Sequence, residues 1–315
     1  MPSESDRREP QIEELMGLSA EEIAQHVSTG LREDLGESGD LSSHTVIPEQ
    51  QMARGRILAK AQGVLAGTPL ARACFLELDP GAEFLGGKAE GETFDPGALL
   101  LEVRGRARAL LGAERSALNF LQRLSGIATL TRAFALELEG TGTVLLETRK
   151  TTPGLRQLEK YAVRVGGGKN HRFGLFDRVM LKENHFALSG HGTDPGGYRK
   201  TVSAAVAAGV GAVIAEVRDR AEAEAALRGG AEILLFDNMS PDQLGPILRR
   251  VRALAQELGR QVLCEASGGI TLANVRAFAD TGVDRVSVGA LTHSALPIDL
   301  SMSIRAAGTI GKAAH

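Results

Sequence analysis

Six short apolar runs, separated by segments with helical spacing, follow one another between residues 143 and 288. The runs lie at 143–148, 178–182, 212–217, 232–236, 261–266 and 284–288. Amphipathic helices fit between the later runs at 198–208, 221–228, 241–258 and 272–281. Strands that are apolar throughout, rather than at alternate positions, are typical of a parallel sheet covered by helices. The sequence therefore predicts an α/β domain at 117–298.

Polar residues or a glycine turn stand at the carboxyl end of every run. In chain order they are Arg149 and Lys150, Lys182, Glu216, Asp237, Ser267–Gly268–Gly269 and Gly289–Ala290. A barrel brings the carboxyl ends of all its strands to one mouth, where residues from many strands can form a single site. The pattern therefore favours a barrel over an open doubly wound sheet.

The richest of these segments is cationic. Between Arg149 and Lys182 the chain carries nine Lys or Arg residues, together with a triple glycine at 166–168 and Asn-His-Arg at 170–172. A guanidinium matches a carboxylate or phosphate with two parallel hydrogen bonds, whereas an ammonium acts as a point charge. Arg149, Lys150, Arg172 and Lys182 therefore predict a site for a small polyanion.

The alternative for this segment is a solvated basic face whose cations pair with Glu147, Glu159 and Asp177. We favour that interpretation for three cations on a short amphipathic helix, because charged faces are common on surface helices. These three are Arg156, Lys160 and Arg164. For the residues at the strand ends we favour anion binding.

Two acids and two glycine turns complete the predicted mouth. Glu216 and Asp237 are suited to Mg²⁺ beside a diphosphate, because Mg²⁺ prefers oxygen ligands and retains several waters. In the alternative, each acid pairs with a lysine across the barrel. Ser267–Gly268–Gly269 precedes a helix and predicts a phosphate seat made of backbone N–H groups, with a plain tight turn as the alternative. Ser287–Val288–Gly289–Ala290 is the second such turn, and His293 either approaches the phosphate or caps a helix.

Composition limits the partners. The formal charge of −3 argues against a general nucleic-acid binder. The chain has neither an apolar signal region near its start nor an apolar run of the roughly 18–20 residues that span a membrane. We therefore expect a cytoplasmic protein without nucleic acid or membrane as a partner. Cys74 and Cys264 lack metal-ligand spacing and are expected to be buried free thiols.

Residues 11–116 are predicted to form a separate α+β sandwich. Loose alternation at 52–65 indicates a strand, 69–78 a helix, and the glycine-rich stretch 81–108 small antiparallel strands. A long helix is expected from Glu114 to about Leu138, with Arg115 in its first turn, at the positive end of the helix dipole. Residues 299–315 are expected to form a C-terminal helix and tail that return to the first domain.

Four blocks of sequence carry a family resemblance: ETRKTTPG at 147–154, EKYAV at 159–163, GGGKNHR at 166–172 and LKENH at 181–185. From about Gly39 to about Ile298 the chain resembles the quinolinate phosphoribosyltransferases, also called nicotinate-nucleotide pyrophosphorylases (carboxylating), a type II phosphoribosyltransferase family. The resemblance implies an incomplete, TIM-like α/β barrel of about six to seven parallel strands after the sandwich domain. It also implies transfer of the phosphoribosyl group of phosphoribosyl diphosphate to quinolinate with loss of CO₂, which gives nicotinate mononucleotide and diphosphate for NAD biosynthesis.

The same resemblance implies roles for individual residues. Arg149, Arg172 and Lys182 would bind the quinolinate carboxylates, assisted by Lys150 and His171. Arg115 would reach in from the neighbouring subunit of a homodimer, or of a higher oligomer of dimers. Glu216 and Asp237 would hold the ribose hydroxyls and Mg²⁺, directly or through water and the diphosphate. The expected catalytic residues are Lys150, Lys182, Glu216 and Asp237, and the remaining substrate contacts are Thr148, Ser267, Gly268, Gly269, Val288, Gly289, Ala290 and His293.

One departure and two alternatives accompany the resemblance. The family commonly has Glu-Val-Glu where this chain has Ile214-Ala215-Glu216, so the first acid is absent. One alternative is a paralogous type II phosphoribosyltransferase that acts on another anionic base. The other is a non-catalytic sensor of phosphate ligands. The full set of cations favours a dicarboxylate over a base with one carboxylate, and the retained acids argue against a sensor.

Overall fold

The computed structural model describes residues 17–307, which form two compact units. Within that range the first unit comprises 17–130, 157–166 and 295–307, and the second comprises 131–156 and 167–294. The predicted domain boundary between 116 and 117 falls inside one long helix, Ala107–Glu137. Residues 11–16 and 308–315 of the predicted domains lie outside the described residues.

The first unit is built on a four-stranded antiparallel sheet with the strand order β12-β1-β5-β3, beside a two-stranded pair β2-β4. The strands are β1 (Met52–Ala59), β2 (Gly63–Val64), β3 (Glu83–Gly87), β4 (Thr93–Phe94), β5 (Leu99–Arg106) and β12 (Leu300–Ala306). The helices are α1 (Ala20–Leu35), α2 (Leu41–Val46), α3 (Thr68–Leu78), the first part of α4 (Ala107–Glu137) and most of α5 (Arg156–Gly166). This mixture of sheet and helices confirms the predicted α+β class.

The segment after residue 298 is a strand, so the predicted C-terminal helix is wrong. β12 pairs antiparallel with β1, with Leu300 opposite Ala59 and Met302 opposite Ile57. Leu300, Met302 and Ile304 alternate with polar residues, which is the period-two pattern of a strand rather than a helical pattern. The free edge of β1 supplies the backbone hydrogen bonds that this short segment cannot form alone.

Helix α4 begins earlier than predicted. It starts at Ala107, directly after β5, so Arg115 lies well inside the helix and not in its first turn. No Ser, Thr, Asp or Asn stands before Ala107 to mark the start, and such residues are the usual signal for a helix amino end. The dipole argument for Arg115 therefore does not apply, because the effect is confined to the terminal turn.

The second unit contains six parallel strands in the order β6-β11-β10-β9-β8-β7. They are β6 (Val144–Leu146), β7 (Val179–Leu181), β8 (Val213–Val217), β9 (Ile233–Asp237), β10 (Leu263–Ser267) and β11 (Arg285–Ser287). The helices are α6 (Glu183–Leu188), α7 (Pro195–Ala207), α8 (Arg220–Gly229), α9 (Pro241–Glu257), α10 (Val275–Asp280) and α11 (Ala290–His293). The six predicted strands are confirmed. Among the described strand pairs, β6 and β7 are not joined to each other, as expected of an incomplete barrel.

The interior of this sheet is aliphatic. Met180, Ile214, Ile233 and Leu235 form one buried cluster, and Ile214 is fully inaccessible to solvent. The position at which the family commonly carries its first acid is thus part of the packed core in this chain. Cys74 on α3 and Cys264 on β10 are buried free thiols, as predicted. Burial raises the pKa of each thiol to about 12, so both are unreactive. Across residues 17–307, no helix combines the length and apolar character that crossing a membrane demands.

Candidate active site

A cavity of about 600 Å³ opens at the carboxyl ends of the parallel strands in the second unit. Most of the residues predicted for the site line it: Thr148, Arg149, Lys150, His171, Arg172, Lys182, Glu216, Asp237, Ser267 and Gly268. The loops or ends of all six strands contribute. The structure therefore brings the predicted cations, acids and one glycine turn into a single cavity, as the strand-end pattern required.

Two guanidinium groups occupy one side of the cavity. The Arg172 side chain is buried, with the residue only 8% exposed, and its Nη1 donates to the carbonyl oxygen of Arg178 at 3.1 Å. Burial, and then the positive charge of Arg149, lower the pKa of Arg172, although Asp177 opposes the shift. Among the described residues the buried Nε of Arg149 has no hydrogen-bond partner. Two cations held together with an unused donor are suited to an anion that carries more than one charge.

A buried glutamate supports the segment that carries Arg172. Glu147 follows β6 and is completely inaccessible to solvent. Its carboxylate accepts hydrogen bonds from Asn170 Nδ2 at 2.9 Å and from the backbone N–H of His171 at 3.0 Å. These bonds fix the loop before β7 against the end of β6, so Glu147 holds in place the segment that carries His171 and Arg172. It is not the surface partner of cations that the alternative interpretation described.

Arg156 ties two cation-bearing loops together. Its guanidinium donates to Thr151 Oγ1 at 3.0 Å, to the carbonyl oxygen of Phe173 at 3.2 Å and to that of Arg149 at 3.3 Å. The loop after β6 and the loop before β7 therefore share one anchor. This role contradicts the prediction of a solvated cation at this position.

The predicted solvated face is also wrong for Lys160, which is only 2% exposed. Residues 158–163 of α5 are all buried, so the middle of the helix has no basic surface stripe. Glu159 beside it is fully buried and accepts hydrogen bonds from Arg123, the shorter being 2.7 Å. Arg164 is exposed, as predicted for a surface cation.

The two acids, Glu216 and Asp237, also line the cavity. Glu216 Oε2 is 2.9 Å from Lys182 Nζ, so the lysine pairing considered as an alternative is present for this acid. Asp237 accepts from Asn238 Nδ2 at 2.7 Å. Burial, and then the negative charge of Glu216, raise the pKa of Asp237, while Lys182 and Lys150 act in the opposite direction. The two carboxylates are therefore close enough to repel each other.

This acid pair can take a divalent cation only with help from a ligand. In the described part of the chain, no group of three or more His, Cys, Asp or Glu side chains could hold a metal ion. Mg²⁺ is commonly bound through one or two carboxylates and the phosphate oxygens of a substrate, with waters in the remaining positions. The repulsion between Glu216 and Asp237 favours a cation between or near them. The residues therefore fit a Mg²⁺ that arrives with a diphosphate.

The first glycine turn is shaped by a neighbouring asparagine. Asn238 has a φ of 55°, and its N–H donates to the carbonyl oxygen of Ser267 at 2.9 Å. Gly268 has a φ of 90°, and a Cβ there would lie 2.2 Å from Asn238 Oδ1. Gly268 is thus required by the close approach of Asn238 as well as by its own backbone conformation. Gly269, with a φ of 63°, has open space at the Cβ position and does not line the cavity.

Of the second glycine turn, Ser287 lines the cavity, whereas Val288, Gly289 and Ala290 do not. Val288 is buried, and its N–H donates to the carbonyl oxygen of Leu146 at 2.8 Å, so this amide is not available to a phosphate. A Cβ on Gly289 would lie 3.0 Å from His293 Nε2 and 3.2 Å from Lys150 Cδ. Gly289, His293 and Lys150 are therefore packed together, with Ala290 opening the short helix α11 next to them.

Arg115 belongs to the first unit, where its side chain is exposed on α4. It is not among the residues that line the cavity of its own chain. The structure thus leaves this residue accessible to another molecule.

Six lining residues were not named as site residues from the sequence: Leu175, Met180, His185, Leu235, Asn238 and Ser287, the last of which belongs to the second predicted turn. Alternation along a strand was the available signal, because side chains two residues apart point to the same face. Met180 stands two residues before Lys182, and Leu235 two residues before Asp237. These apolar side chains give the cavity lining an apolar part beside its charged residues.

Comparison with known proteins places the chain among a well-described group. Family models described as quinolinate phosphoribosyl transferase match residues 40–125 for the N-terminal domain and 127–303 for the C-terminal domain. A probable nicotinate-nucleotide pyrophosphorylase [carboxylating] of Bacillus subtilis (strain 168) is 41% identical over 273 residues, which cover 86% of this chain and 90% of the relative. Quinolinate phosphoribosyltransferase [decarboxylating] 1b of Nicotiana tabacum is 37% identical over 291 residues, covering 88% of this chain and 81% of the relative.

A solved structure shows the same fold over almost the whole described chain. The crystal structure of NadC from Streptococcus pyogenes matches with a TM-score of 0.84 at 38% sequence identity. The match covers 92% of this chain and 99% of that one. The chain therefore has the fold of that NadC structure.

Proposed function

The chain belongs to the quinolinate phosphoribosyl transferase family, and from that premise we propose how the cavity of its second unit carries out the reaction. The protein transfers the phosphoribosyl group of phosphoribosyl diphosphate to quinolinate with decarboxylation, and so makes nicotinate mononucleotide, CO₂ and diphosphate for NAD biosynthesis. The observation that carries the assignment to this cavity is the pair Arg149 and Arg172. The positive charge of Arg149 acts on Arg172, and the buried Nε of Arg149 has no hydrogen-bond partner among the described residues.

Quinolinate binds at the cationic side of the cavity. Its two carboxylates match Arg149 and Arg172, while Met180 and Leu235 supply apolar surface for the pyridine ring. The Arg172 guanidinium is positioned before the ligand arrives, because it already donates to the carbonyl oxygen of Arg178, and Arg156 holds the backbone of Arg149. Binding then requires little further ordering of the Arg172 side chain.

The phosphoribosyl group binds on the side of Glu216 and Asp237. Loss of diphosphate leaves positive charge on the ribose ring, which carboxylates nearby stabilise electrostatically. Mg²⁺, held by Glu216 and Asp237 with phosphate oxygens, would neutralise charge on the diphosphate. Ser267 and Gly268 at the cavity wall are suited to the 5-phosphate, and Lys150 provides a neighbouring cation.

Lys182 lies at the boundary between the two substrates. Its ammonium contacts Glu216 in the protein alone and is half exposed, so it is free to contact a quinolinate carboxylate as well. The pyridine nitrogen attacks the ribose carbon as diphosphate departs, and no side chain has to act as a nucleophile. Orientation of the two substrates by the residues of the cavity supplies much of the rate. The bond from the ring to one carboxylate then breaks with loss of CO₂, the adjacent positive ring nitrogen stabilises the electron pair left on the ring carbon, and uptake of a proton at that carbon gives nicotinate mononucleotide.

The active assembly is a homodimer in which Arg115 of each subunit completes the site of the other. Two observations support this part of the proposal: Arg115 is exposed, and it is not part of the cavity lining of its own chain. A two-fold interface would place the same residue in both sites. Assembly of these dimers into a higher oligomer and a cytoplasmic location are further parts of the proposal.

Substrate choice tests the proposal against both alternatives. With phosphoribosyl diphosphate and Mg²⁺, we expect quinolinate to give CO₂ and diphosphate in equal amounts, and nicotinate to give almost no diphosphate. A paralogous enzyme for a base with one carboxylate would turn over nicotinate with comparable kcat/KM. A sensor would release diphosphate with neither base, although it would bind phosphoribosyl diphosphate in a calorimetric titration.

A further inference from the structure

A buried carboxylate lies directly beneath the cavity and takes no part in its lining. Glu265 is on β10, two residues before Ser267, and is completely inaccessible to solvent. Because side chains two apart on a strand share a face, Glu265 lies one layer below Ser267 on the same face of the sheet. Its Oε1 is 3.1 Å from His171 Nε2, and its buried Oε2 has no hydrogen-bond partner within residues 17–307. A buried carboxylate oxygen without a hydrogen-bond partner destabilises a fold, so the contact that Glu265 makes with His171 calls for a functional explanation.

The partner of this carboxylate, His171, is held at both ring nitrogens. Nδ1 accepts a hydrogen bond from the backbone N–H of Arg172 at 2.7 Å, so Nδ1 carries a lone pair. The ring hydrogen of a neutral imidazole is then on Nε2, where it points to Glu265 Oε1. The His171 side chain is only 6% exposed. It therefore serves as a rigid connection between Glu265 and the backbone of Arg172.

We propose that Glu265 is a positioning residue for the reaction. It fixes the His171 ring from inside the sheet, and the ring fixes the Arg172 backbone, so that the guanidinium stays beside Arg149 at the cavity wall. Glu147 supports the same segment from the end of β6 through Asn170 and the His171 N–H. The inference rests on the proposed function, because it gives Arg172 the role of binding a quinolinate carboxylate.

Two substitutions of Glu265 distinguish a role in positioning Arg172 from a role in stabilising the fold. Glu265→Leu removes the acceptor while keeping the side chain large, and Glu265→Gln keeps an oxygen that can accept from His171 Nε2. We expect Glu265→Leu to raise the quinolinate Kd about tenfold or more, since small displacements of an orienting group have effects of this size. Glu265→Gln should raise it less. The KM for phosphoribosyl diphosphate should be unchanged in both variants.

A matched control variant and a double-mutant cycle test whether Glu265 acts on quinolinate binding through His171. Glu159→Gln alters an equally buried glutamate in the first unit, and we expect it to lower stability without changing the quinolinate Kd. If Glu265 acts through His171, then Glu265→Leu should have no further effect on this Kd in a His171→Asn background. A wild-type quinolinate Kd in Glu265→Leu would overturn the proposal. So would equal changes in the KM values of both substrates.

A measurement on the native protein does not depend on whether any variant folds. Nuclear magnetic resonance of ¹⁵N-labelled histidine rings at pH 7 should show the His171 proton on Nε2, with the signal assigned by through-bond and nuclear Overhauser correlations. A proton on Nδ1 would overturn the proposal. If the wild-type protein neither binds quinolinate nor turns it over, the proposed function fails. The tautomer result then stands as a separate outcome.

Discussion

Replacing Arg172 by Gln removes one of the two guanidinium groups proposed to bind quinolinate. The change deletes a positive charge and the pair of parallel donors, while an amide of moderate size stays in place. Arg172 is already buried in the free protein and fixed by the carbonyl oxygen of Arg178. Most of the desolvation and ordering of this side chain thus precedes binding, so its hydrogen bonds to the ligand should contribute nearly their full value.

The magnitude follows from this geometry. A hydrogen bond to a charged group contributes about 1.5–3 kcal/mol, and a two-pronged pair at the lower end of that range contributes about 3 kcal/mol. Every 1.4 kcal/mol is about a tenfold change in Kd. We therefore expect the quinolinate Kd of Arg172→Gln to rise roughly 10²-fold. The variant should keep its melting temperature, because burial and the charge of Arg149 already disfavour the Arg172 cation.

The assay is calorimetric titration of quinolinate into the protein without phosphoribosyl diphosphate, followed by steady-state kinetics. Arg276→Gln is the matched control, since Arg276 is an exposed arginine in the second unit that pairs with Asp280. We expect the control to bind quinolinate like the wild type. A Kd for Arg172→Gln within about twofold of wild type, with the variant fully folded, would refute the reasoning that Arg172 contacts a carboxylate.

Three further predictions follow from other parts of the site. Arg156→Leu removes three hydrogen bonds between two loops, so we expect urea unfolding to show a loss of about 1–3 kcal/mol and quinolinate to bind more weakly; unchanged stability would exclude the anchor role. A carboxyl whose pKa is raised by folding stabilises the protein fully below its unfolded pKa and loses that contribution as pH rises through its folded pKa. The raised pKa of Asp237 therefore predicts that Asp237→Asn has a melting temperature at pH 7 at least as high as that of the wild type, and that the variant loses ground to the wild type below about pH 4. The variant should also lose Mg²⁺-dependent turnover. A melting temperature below that of the wild type at pH 7 would contradict the predicted sign. Arg115→Ala and Arg172→Ala should each be nearly inactive, and mixing them with subunit exchange should restore about a quarter of wild-type activity per subunit, since random exchange makes half of the dimers mixed and each mixed dimer has one intact site. Verified exchange without recovery would place Arg115 outside the neighbouring site.

Much of the site could be predicted because parallel strands end at one edge. Arg149, Lys182, Glu216 and Asp237 stand at the ends of four apolar runs, and the sheet brings them to one cavity. Continuous apolar runs mark such strands clearly, because they are buried on both faces. The position of each residue directly after an apolar run was therefore enough to predict that these residues share one site.

Other features depended on packing that no local pattern records. Lys160 has the sequence setting of a surface cation, yet the middle of α5 is buried, and the lysine with it. Arg156 acts through the backbone carbonyls of Arg149 and Phe173, which any residue could have supplied. The link from Glu265 to His171 joins positions 94 residues apart. Pairing across such distances is decided by the tertiary fold, so it became visible only with the structure.

The segment at 300–306 shows a different kind of failure, because the local signal was present. Leu300, Met302 and Ile304 alternate with polar residues as a strand requires. Leu, Met, Ala and Arg are also good helix formers, so propensity and alternation pointed in opposite directions. The open edge of β1 resolves the conflict in favour of a strand, since it pairs with every residue from Leu300 to Ala306.

A crystal structure of the protein with quinolinate bound tests the central claim most directly. We expect both carboxylates to lie within hydrogen-bonding distance of Arg149, Arg172 and Lys182, with the pyridine ring against Met180 and Leu235. Arg115 of a second subunit should approach the same ligand. Quinolinate bound outside this cavity, or with its carboxylates turned toward Glu216 and Asp237 and away from the arginines, would contradict the account.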